Sequence, residues 1–133
     1  MARGGAVGAL RKPAGSSVVL TTSAANVLGI PTVSVYAAAK AALRSMARSL
    51  ASELLPRGIR VNAVSPGPID TSILDKALGK EAAVEVKRQM TEDNPMKRFG
   101  RGEEVAKAVL FLAFDGTYTT GAELPIDGGA TQI

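Results

Sequence analysis

Residues 17–22 read Ser-Val-Val-Leu-Thr-Thr, and this short run decides the fold class. It is short for a helix and rich in β-branched side chains, which favour strands. Turn-forming residues stand on both sides, with Pro13 and Gly15 before the run and Gly29-Ile30-Pro31 after it. We therefore predict a buried β-strand over Ser17–Thr22.

A long helix is predicted next, over Tyr36–Leu55, and Pro56 with Gly58 ends it. Alanine is frequent on several faces of this helix, and small side chains let other backbones approach closely. We therefore expect the helix to be packed on more than one side. Its apolar side chains recur at helical spacing, at Leu43, Met46, Ala47, Leu50 and Leu54.

The rest of the chain continues the alternation of strands and helices. A second strand is predicted at Ile59–Val64, before a Pro-Gly-Pro turn at residues 66–68, and a last short strand at Leu124–Asp127. Helices are predicted around Glu81–Met90 and over Glu103–Phe114. This alternation is typical of an α/β domain with a parallel sheet, here of about three strands with flanking helices.

The composition excludes several classes of function. A chain of 133 residues fits one domain, and it contains no Cys and no His. Disulfides, thiol chemistry, His-based triads and the common zinc sites are therefore excluded, and no metal site is expected. No apolar run approaches the roughly 18 residues of a membrane-spanning helix, so no membrane partner is expected. The lack of Cys agrees with a cytoplasmic protein.

The positive net charge of +4 raises nucleic acid as a partner. The charges are scattered and aromatic residues make up only 4%, so no basic run is interleaved with stacking side chains. Nucleic-acid binding is therefore not expected. A secretory signal is rejected at residues 1–12, whose apolar stretch is too short. A transit peptide stays open as a minor alternative, because no acidic residue precedes Glu53.

Tyr36-Ala-Ala-Ala-Lys40 places a phenol and an ammonium four residues apart, on one face of the predicted helix. An unperturbed tyrosine is a poor acid or base at neutral pH. A cation within one helical turn favours the phenolate, and the phenol can then pass a proton to or from a substrate oxygen. Read alone, this spacing is more common on ordinary surface helices.

Ser23 and the turn after the second strand strengthen the interpretation. Ser23 follows the first strand, and Pro66–Thr71 ends the second strand at the same edge of a parallel sheet, where ligands bind in open α/β folds. A hydroxyl there can donate a hydrogen bond to the same substrate oxygen. A turn-starting serine and a rigid Pro-Gly turn are the commoner explanations of each feature, but their coincidence with Tyr36 and Lys40 favours a site.

From about Ser16 to the C-terminus, the chain resembles the short-chain dehydrogenase/reductase family. The order and spacing of four segments match that family. Within it, the chain resembles the 3-oxoacyl-carrier-protein-reductase-like or glucose-1-dehydrogenase-like members. These segments are Val18-Val-Leu-Thr-Thr-Ser23, Tyr36-x-x-x-Lys40, Arg60-Val-Asn-Ala-Val-Ser-Pro-Gly67, and Gly121 followed by Asp127-Gly-Gly129.

The resemblance implies an NAD(P)-dependent oxidoreductase that acts on a small carbonyl/alcohol substrate. It implies that Tyr36 is the general acid/base and that Ser23 orients the substrate. Lys40 supports the phenolate and hydrogen-bonds the nicotinamide ribose. The cofactor contacts implied by the resemblance are thus Tyr36 and Lys40, together with a loop along the nicotinamide that comprises Pro66, Gly67, Ile69 and Thr71, with the Ile69 backbone at the carboxamide.

Two further segments have implied roles. Residues 72–99 match the variable substrate lid of the family. Asp127-Gly-Gly129 closes the last strand near the subunit contacts of family members, so a homo-oligomer is expected for the full-length family.

Other features of the family lie upstream of Ser23 and do not occur in this sequence. They are the Gly-rich cofactor turn, the residue that selects NAD or NADP, the Asn-Asn-Ala-Gly strand and the catalytic Asn, which Asn26 cannot replace because it follows Ser23. Residues 1–15 match the family poorly. We therefore expect a partial domain over residues 16–133, the C-terminal half of a Rossmann-like doubly wound parallel sheet, with the N-terminal cofactor-binding half missing.

Two hypotheses follow. The first is an oxidoreductase that uses NAD or NADP, with the choice between them left open. The second is a catalytically inactive fragment that only associates with itself or with intact relatives.

Overall fold

The apolar run that begins at Ser17 is the edge strand of a three-stranded sheet in the computed structural model, which describes residues 15–133. The expectations for residues 1–14, including the transit peptide, lie outside this range. The strands are β1 (Ser17–Thr21), β2 (Arg60–Pro66) and β3 (Glu123–Ile126). The helices are α1 (Ser34–Leu54), α2 (Ile73–Leu78), α3 (Lys80–Asp93) and α4 (Gly102–Leu110). Three short turns are Ala24–Asn26 and Leu55–Arg57, both 3₁₀, and Phe111–Asp115, a π turn.

All strand pairs are parallel, in the order β1-β2-β3. The register runs from Ser17 opposite Arg60, and from Ala63 opposite Glu123. Strand β2 is central, and Val61 through Ser65 are buried in it. The prediction of a parallel α/β architecture with about three strands is therefore confirmed, and all three strands end at the same edge.

Helix α1 packs one face against the sheet. Ala47, Ala51 and Leu54 form a buried cluster with β2 and with Ile59 just before it. The helix also contacts the turn Ala24–Asn26. Its small side chains that are exposed within residues 15–133 include Ala38, Ala39, Ala41 and Ala42, and packing of this second face stays a prediction.

The fourth helix is shorter than the predicted Glu103–Phe114. It ends at Leu110 and continues as the π turn Phe111–Asp115, and together they contact all three strands. Arg60 explains the change, because its guanidinium donates to the carbonyls of Leu112 at 2.7 Å and Ala113 at 2.9 Å. A side chain that donates hydrogen bonds to these carbonyls competes with the backbone N–H groups that would bind them in a regular α-helix.

The stretch expected to be a lid, residues 72–99, contains α2 and α3. Gly79 separates the two helices with a φ of +81°, a backbone conformation that favours glycine. Within residues 15–133, no helix is both long and apolar enough to cross a bilayer.

Candidate active site

Lys40 connects α1 to the end of β1. Its Nζ donates a hydrogen bond to the Thr21 carbonyl at 3.1 Å and lies 5.7 Å from the centroid of the Tyr36 ring. The second distance is within the range of a cation–π contact. The i, i+4 spacing thus brings Tyr36 and Lys40 together, as predicted, and the strand end holds the ammonium in place. Tyr36 is half-exposed, so a small molecule can reach it.

Ser23 begins the 3₁₀ turn that follows β1. Its backbone is extended, with φ −165° and ψ 151°, and its Oγ accepts a hydrogen bond from the Ala25 N–H at 3.2 Å. This is the ordinary role of a serine that starts a turn. The hydroxyl proton has no acceptor among residues 15–133 and can still be donated to a ligand. The turn packs against α1, the helix that carries Tyr36.

The loop after β2 approaches β3 so closely that it requires glycine. The Gly67 N–H donates to the Ile126 carbonyl at 3.0 Å, which continues the ladder of the sheet beyond β2. A Cβ at position 67 would lie 2.8 Å from both Cα and Cβ of Asp127. The backbone of the predicted cofactor loop therefore lies directly against the end of β3.

The same loop pairs with a second segment through Ile69 and Gly100, which form an isolated parallel bridge. The Asp70 N–H donates to the Gly100 carbonyl at 2.8 Å, and the Gly100 N–H donates to the Pro68 carbonyl at 2.9 Å. The N–H and C=O of Ile69 have no hydrogen-bond partner among residues 15–133. An unpaired donor and acceptor on one residue suit a ligand amide, which offers a carbonyl acceptor and an N–H donor. Thr71 is exposed and accepts a long, 3.5 Å bond from the Ile73 N–H.

The segment that contains Gly100 is anchored at the start of α4. Arg98 binds Glu104 with two hydrogen bonds of 2.9 and 2.7 Å, and Glu104 also accepts from the Arg101 N–H at 2.8 Å. The Arg98 guanidinium and then the Arg101 N–H lower the pKa of the Glu104 carboxyl to about 2. This anchor holds Gly100 where it pairs with Ile69.

Sequence reasoning did not single out a polar cluster that surrounds Ser23. Glu123, at the start of β3, accepts hydrogen bonds from the Thr22 hydroxyl and, at 2.8 Å, from the Asn26 amide. Its second oxygen lies 3.5 Å from Nε of Arg44 on α1. Burial, together with the positive charge of Arg48, lowers the pKa of the Arg44 guanidinium, and Glu123 opposes that effect. The available signal was a carboxylate at the start of an otherwise apolar strand, Glu-Leu-Pro-Ile.

A cavity of about 600 Å³ lies next to these elements. Its lining includes Ala24, which directly follows Ser23, and Gly67 and Pro68 of the loop. Helix α3 forms another wall. Ser23, Tyr36 and Lys40 are not part of the lining, so the cavity adjoins the predicted catalytic residues rather than enclosing them.

A family model described as Enoyl-(Acyl carrier protein) reductase matches residues 4–131. This match begins at residue 4, whereas the resemblance in the motifs begins at about Ser16. The domain boundary between residues 15 and 16 stays a prediction.

Curated proteins with similar sequences carry oxidoreductase names. An oxidoreductase of Sarocladium schorii is 41% identical over 130 residues, which are 97% of this chain and 51% of that protein. The 3-oxoacyl-[acyl-carrier-protein] reductase of Thermotoga maritima is 41% identical over 119 residues, which are 89% of this chain and 46% of that protein. The chain therefore spans about half the length of the curated relatives it matches.

Solved structures show the same architecture. A short chain dehydrogenase family protein from Francisella tularensis superimposes with a TM-score of 0.81 at 32% identity, over 90% of this chain and 52% of that one. A 3-oxoacyl-[acyl-carrier protein] reductase from Brucella melitensis with bound NAD superimposes with a TM-score of 0.75 at 34% identity, over 88% of this chain and 41% of that one.

Proposed function

Because the chain belongs to the short-chain dehydrogenase/reductase family, we propose that it takes part in hydride transfer between NAD(P) and a carbonyl/alcohol pair. In the proposal Tyr36 exchanges a proton with the substrate oxygen, Ser23 donates a hydrogen bond to that oxygen, and Lys40 places its positive charge beside the Tyr36 ring. The hydride is supplied or accepted by the nicotinamide.

The position of Lys40 is the observation that supports this proposal most. Its ammonium contacts the Tyr36 ring and is held 3.1 Å from the Thr21 carbonyl, two residues before Ser23. A lysine of an ordinary surface helix would extend into solvent. Here the cation is fixed between the two elements that carry the proposed proton donor and the substrate-orienting hydroxyl.

The described residues also fit one end of the cofactor. The N–H and C=O of Ile69, unpaired within residues 15–133, complement a carboxamide, and we assign a ribose hydroxyl to Lys40, which is held at the end of β1. We assign Pro66, Gly67, Ile69 and Thr71 to the nicotinamide side of the site. A relative is solved with NAD, and either NAD or NADP is compatible with these contacts.

A non-catalytic, associating protein is the second candidate, and a specific observation favours it. A relative from Xanthobacter autotrophicus, 37% identical over 119 residues, is named an inactive 2-(S)-hydroxypropyl-CoM dehydrogenase. Membership of the family therefore does not guarantee turnover. In this alternative β1, which is an edge strand within residues 15–133, pairs with another chain.

The test joins residues 16–133 to the N-terminal half of the Thermotoga maritima reductase and measures NADH and NADPH oxidation with a panel of ketones and aldehydes. Tyr36→Phe should lower turnover about 100-fold or more, because the ring still packs and only the proton route is lost. Lys40→Ala should lower turnover and also weaken cofactor binding.

The matched control is Tyr118→Phe, which removes the only other tyrosine hydroxyl from a fully exposed side chain. It should leave turnover unchanged. Full activity of Tyr36→Phe would disprove the catalytic role, and a folded but inactive parent protein would favour the associating alternative.

A further inference from the structure

The cavity beside Ser23 is walled by aliphatic side chains from three parts of the chain. Leu28 and Ile30 come from the segment between Ser23 and α1, Val86 and Met90 from α3, and Ile133 from the end of the chain. The volume of about 600 Å³ is in the usual range of small-molecule sites.

The polar side chains of the lining are already engaged. Asp93 accepts a hydrogen bond from Gln89 at 2.9 Å. Asn94 donates to the Asp127 carbonyl at 2.8 Å and accepts from the Met96 N–H at 3.0 Å, so both ends of its amide are used. The lining contains no Lys or Arg among residues 15–133, and its charged side chain is the carboxylate of Asp93. An anionic group inside this lining would meet repulsion from Asp93 and no compensating cation.

We infer that this cavity binds the uncharged hydrocarbon chain of the substrate, and that the substrate is a neutral ketone or secondary alcohol with a medium-length alkyl chain. The inference rests on the proposed function for its orientation. Ala24 directly follows Ser23 and lines the cavity, so a substrate whose carbonyl is held by the Ser23 hydroxyl can place its alkyl substituent in the cavity. Burial of each methylene against these side chains strengthens binding about fourfold while the chain still fits.

Binding to the whole 133-residue chain tests the cavity without turnover. The probes are 2-octanone, acetone and 7-oxooctanoate, a methyl ketone with a carboxylate at the far end of its alkyl chain, titrated by saturation-transfer NMR and calorimetry. We expect saturable binding of 2-octanone, no detectable binding of acetone, and at least about tenfold weaker binding of 7-oxooctanoate, whose carboxylate would enter the cavity that Asp93 lines. Binding of 7-oxooctanoate as tight as that of 2-octanone, or absence of saturable 2-octanone binding, would overturn the inference.

Two positions on α3 provide a matched pair of variants. Val86→Asp places a charge in the cavity and should abolish 2-octanone binding, whereas Val84→Asp changes a side chain that is 69% exposed and outside the lining. Ile30→Asp, in the segment before α1, is a second lining variant in case the helix variant does not fold, as judged by circular dichroism. Equal binding by all three variants and the parent would place the ligand elsewhere and refute the inference.

The joined protein separates this inference from the proposed function. If 2-octanone binds in the cavity but Tyr36→Phe does not affect turnover, the catalytic proposal fails and the binding site stands. If turnover depends on Tyr36 but kcat/KM does not rise from acetone to 2-octanone, only the substrate class is wrong.

Discussion

The side-chain amide of Asn26 donates a 2.8 Å hydrogen bond to the carboxylate of Glu123, and thereby joins the turn after β1 to the start of β3. The Thr22 hydroxyl donates to the same carboxylate oxygen. Ser23 lies between these two donors in sequence. The carboxylate of Glu123 therefore holds both sides of the turn that positions the Ser23 hydroxyl.

Glu123→Ala should lower the free energy of unfolding by about 1–3 kcal/mol, because Asn26 loses its acceptor and Arg44 its carboxylate partner in a mostly buried environment. Glu123→Gln should cost less, since its amide oxygen can accept the same two bonds while the ion pair with Arg44 is lost. Urea denaturation of the three proteins measures both effects.

The control for this series is Glu53→Ala, which removes an exposed carboxylate near the end of α1. Exposed sites of this kind usually change stability by no more than about 0.5 kcal/mol. Equal losses for Glu53→Ala and Glu123→Ala would show that the cluster around Ser23 does not stabilise the fold.

Gly67→Ala should destabilise the protein by about 1–3 kcal/mol and displace the loop from β3, because its Cβ would lie 2.8 Å from the Asp127 backbone. Gly102→Ala is the matched control, since a Cβ at this first residue of α4 meets nothing within 4 Å. Alanine there should be neutral or stabilise by up to about 1 kcal/mol. Thermal unfolding compares the two, and the same effect at both positions would contradict the close approach.

The anchor at Glu104 should make stability depend on pH in the acid range. The pKa of its carboxyl is lowered from 4.5 to about 2, chiefly by hydrogen bonds from Arg98, so the folded protein favours the ionised form. This contribution is complete above about pH 4.5 and is lost as the pH falls toward about 2. The stability difference between the parent and Glu104→Gln should therefore shrink over that interval in thermal unfolding.

Amide hydrogen exchange adds a local measurement for the same variant. Glu104→Gln should speed exchange of the Gly100 and Asp70 N–H groups, whose bonds join this segment to the loop at Ile69. Glu103→Gln is the control, because it removes an equal charge from the same helical turn, and the Glu103 side chain forms no hydrogen bond within residues 15–133. A stability difference between the parent and Glu104→Gln that does not change with pH would contradict the role of the anchor. Equal exchange rates in Glu104→Gln and Glu103→Gln would contradict it as well.

The 133-residue chain should bind NADH and NADPH only weakly. Its sequence has no Gly-rich strand–turn–helix whose backbone N–H groups could bind the pyrophosphate, and the described contacts suit only the nicotinamide end. We also expect self-association through β1, which is an edge strand of the sheet formed by residues 15–133. Calorimetric titration and light scattering measure the two properties. A micromolar dissociation constant together with a monomeric state would contradict both expectations.

Much of the local architecture was predictable, because it depends on interactions between residues close in sequence. Alternating short apolar runs and helical periodicity predicted β1, α1 and β2 within one or two residues of their bounds. The i, i+4 rule correctly predicted that Lys40 contacts Tyr36. The end of α4 was mispredicted, since it depends on Arg60, which is more than 50 residues away in sequence.

The residue order of this chain was enough to predict a parallel α/β fold, its family, and the location of Ser23 and of the loop after β2 at strand ends. These properties follow from periodicity, turn chemistry and motif spacing. The Glu123 cluster, the closeness of Gly67 to Asp127 and the aliphatic cavity beside Ala24 could not be predicted. Each depends on side chains from distant segments meeting in space, and that distance is set only when the helices and strands pack together.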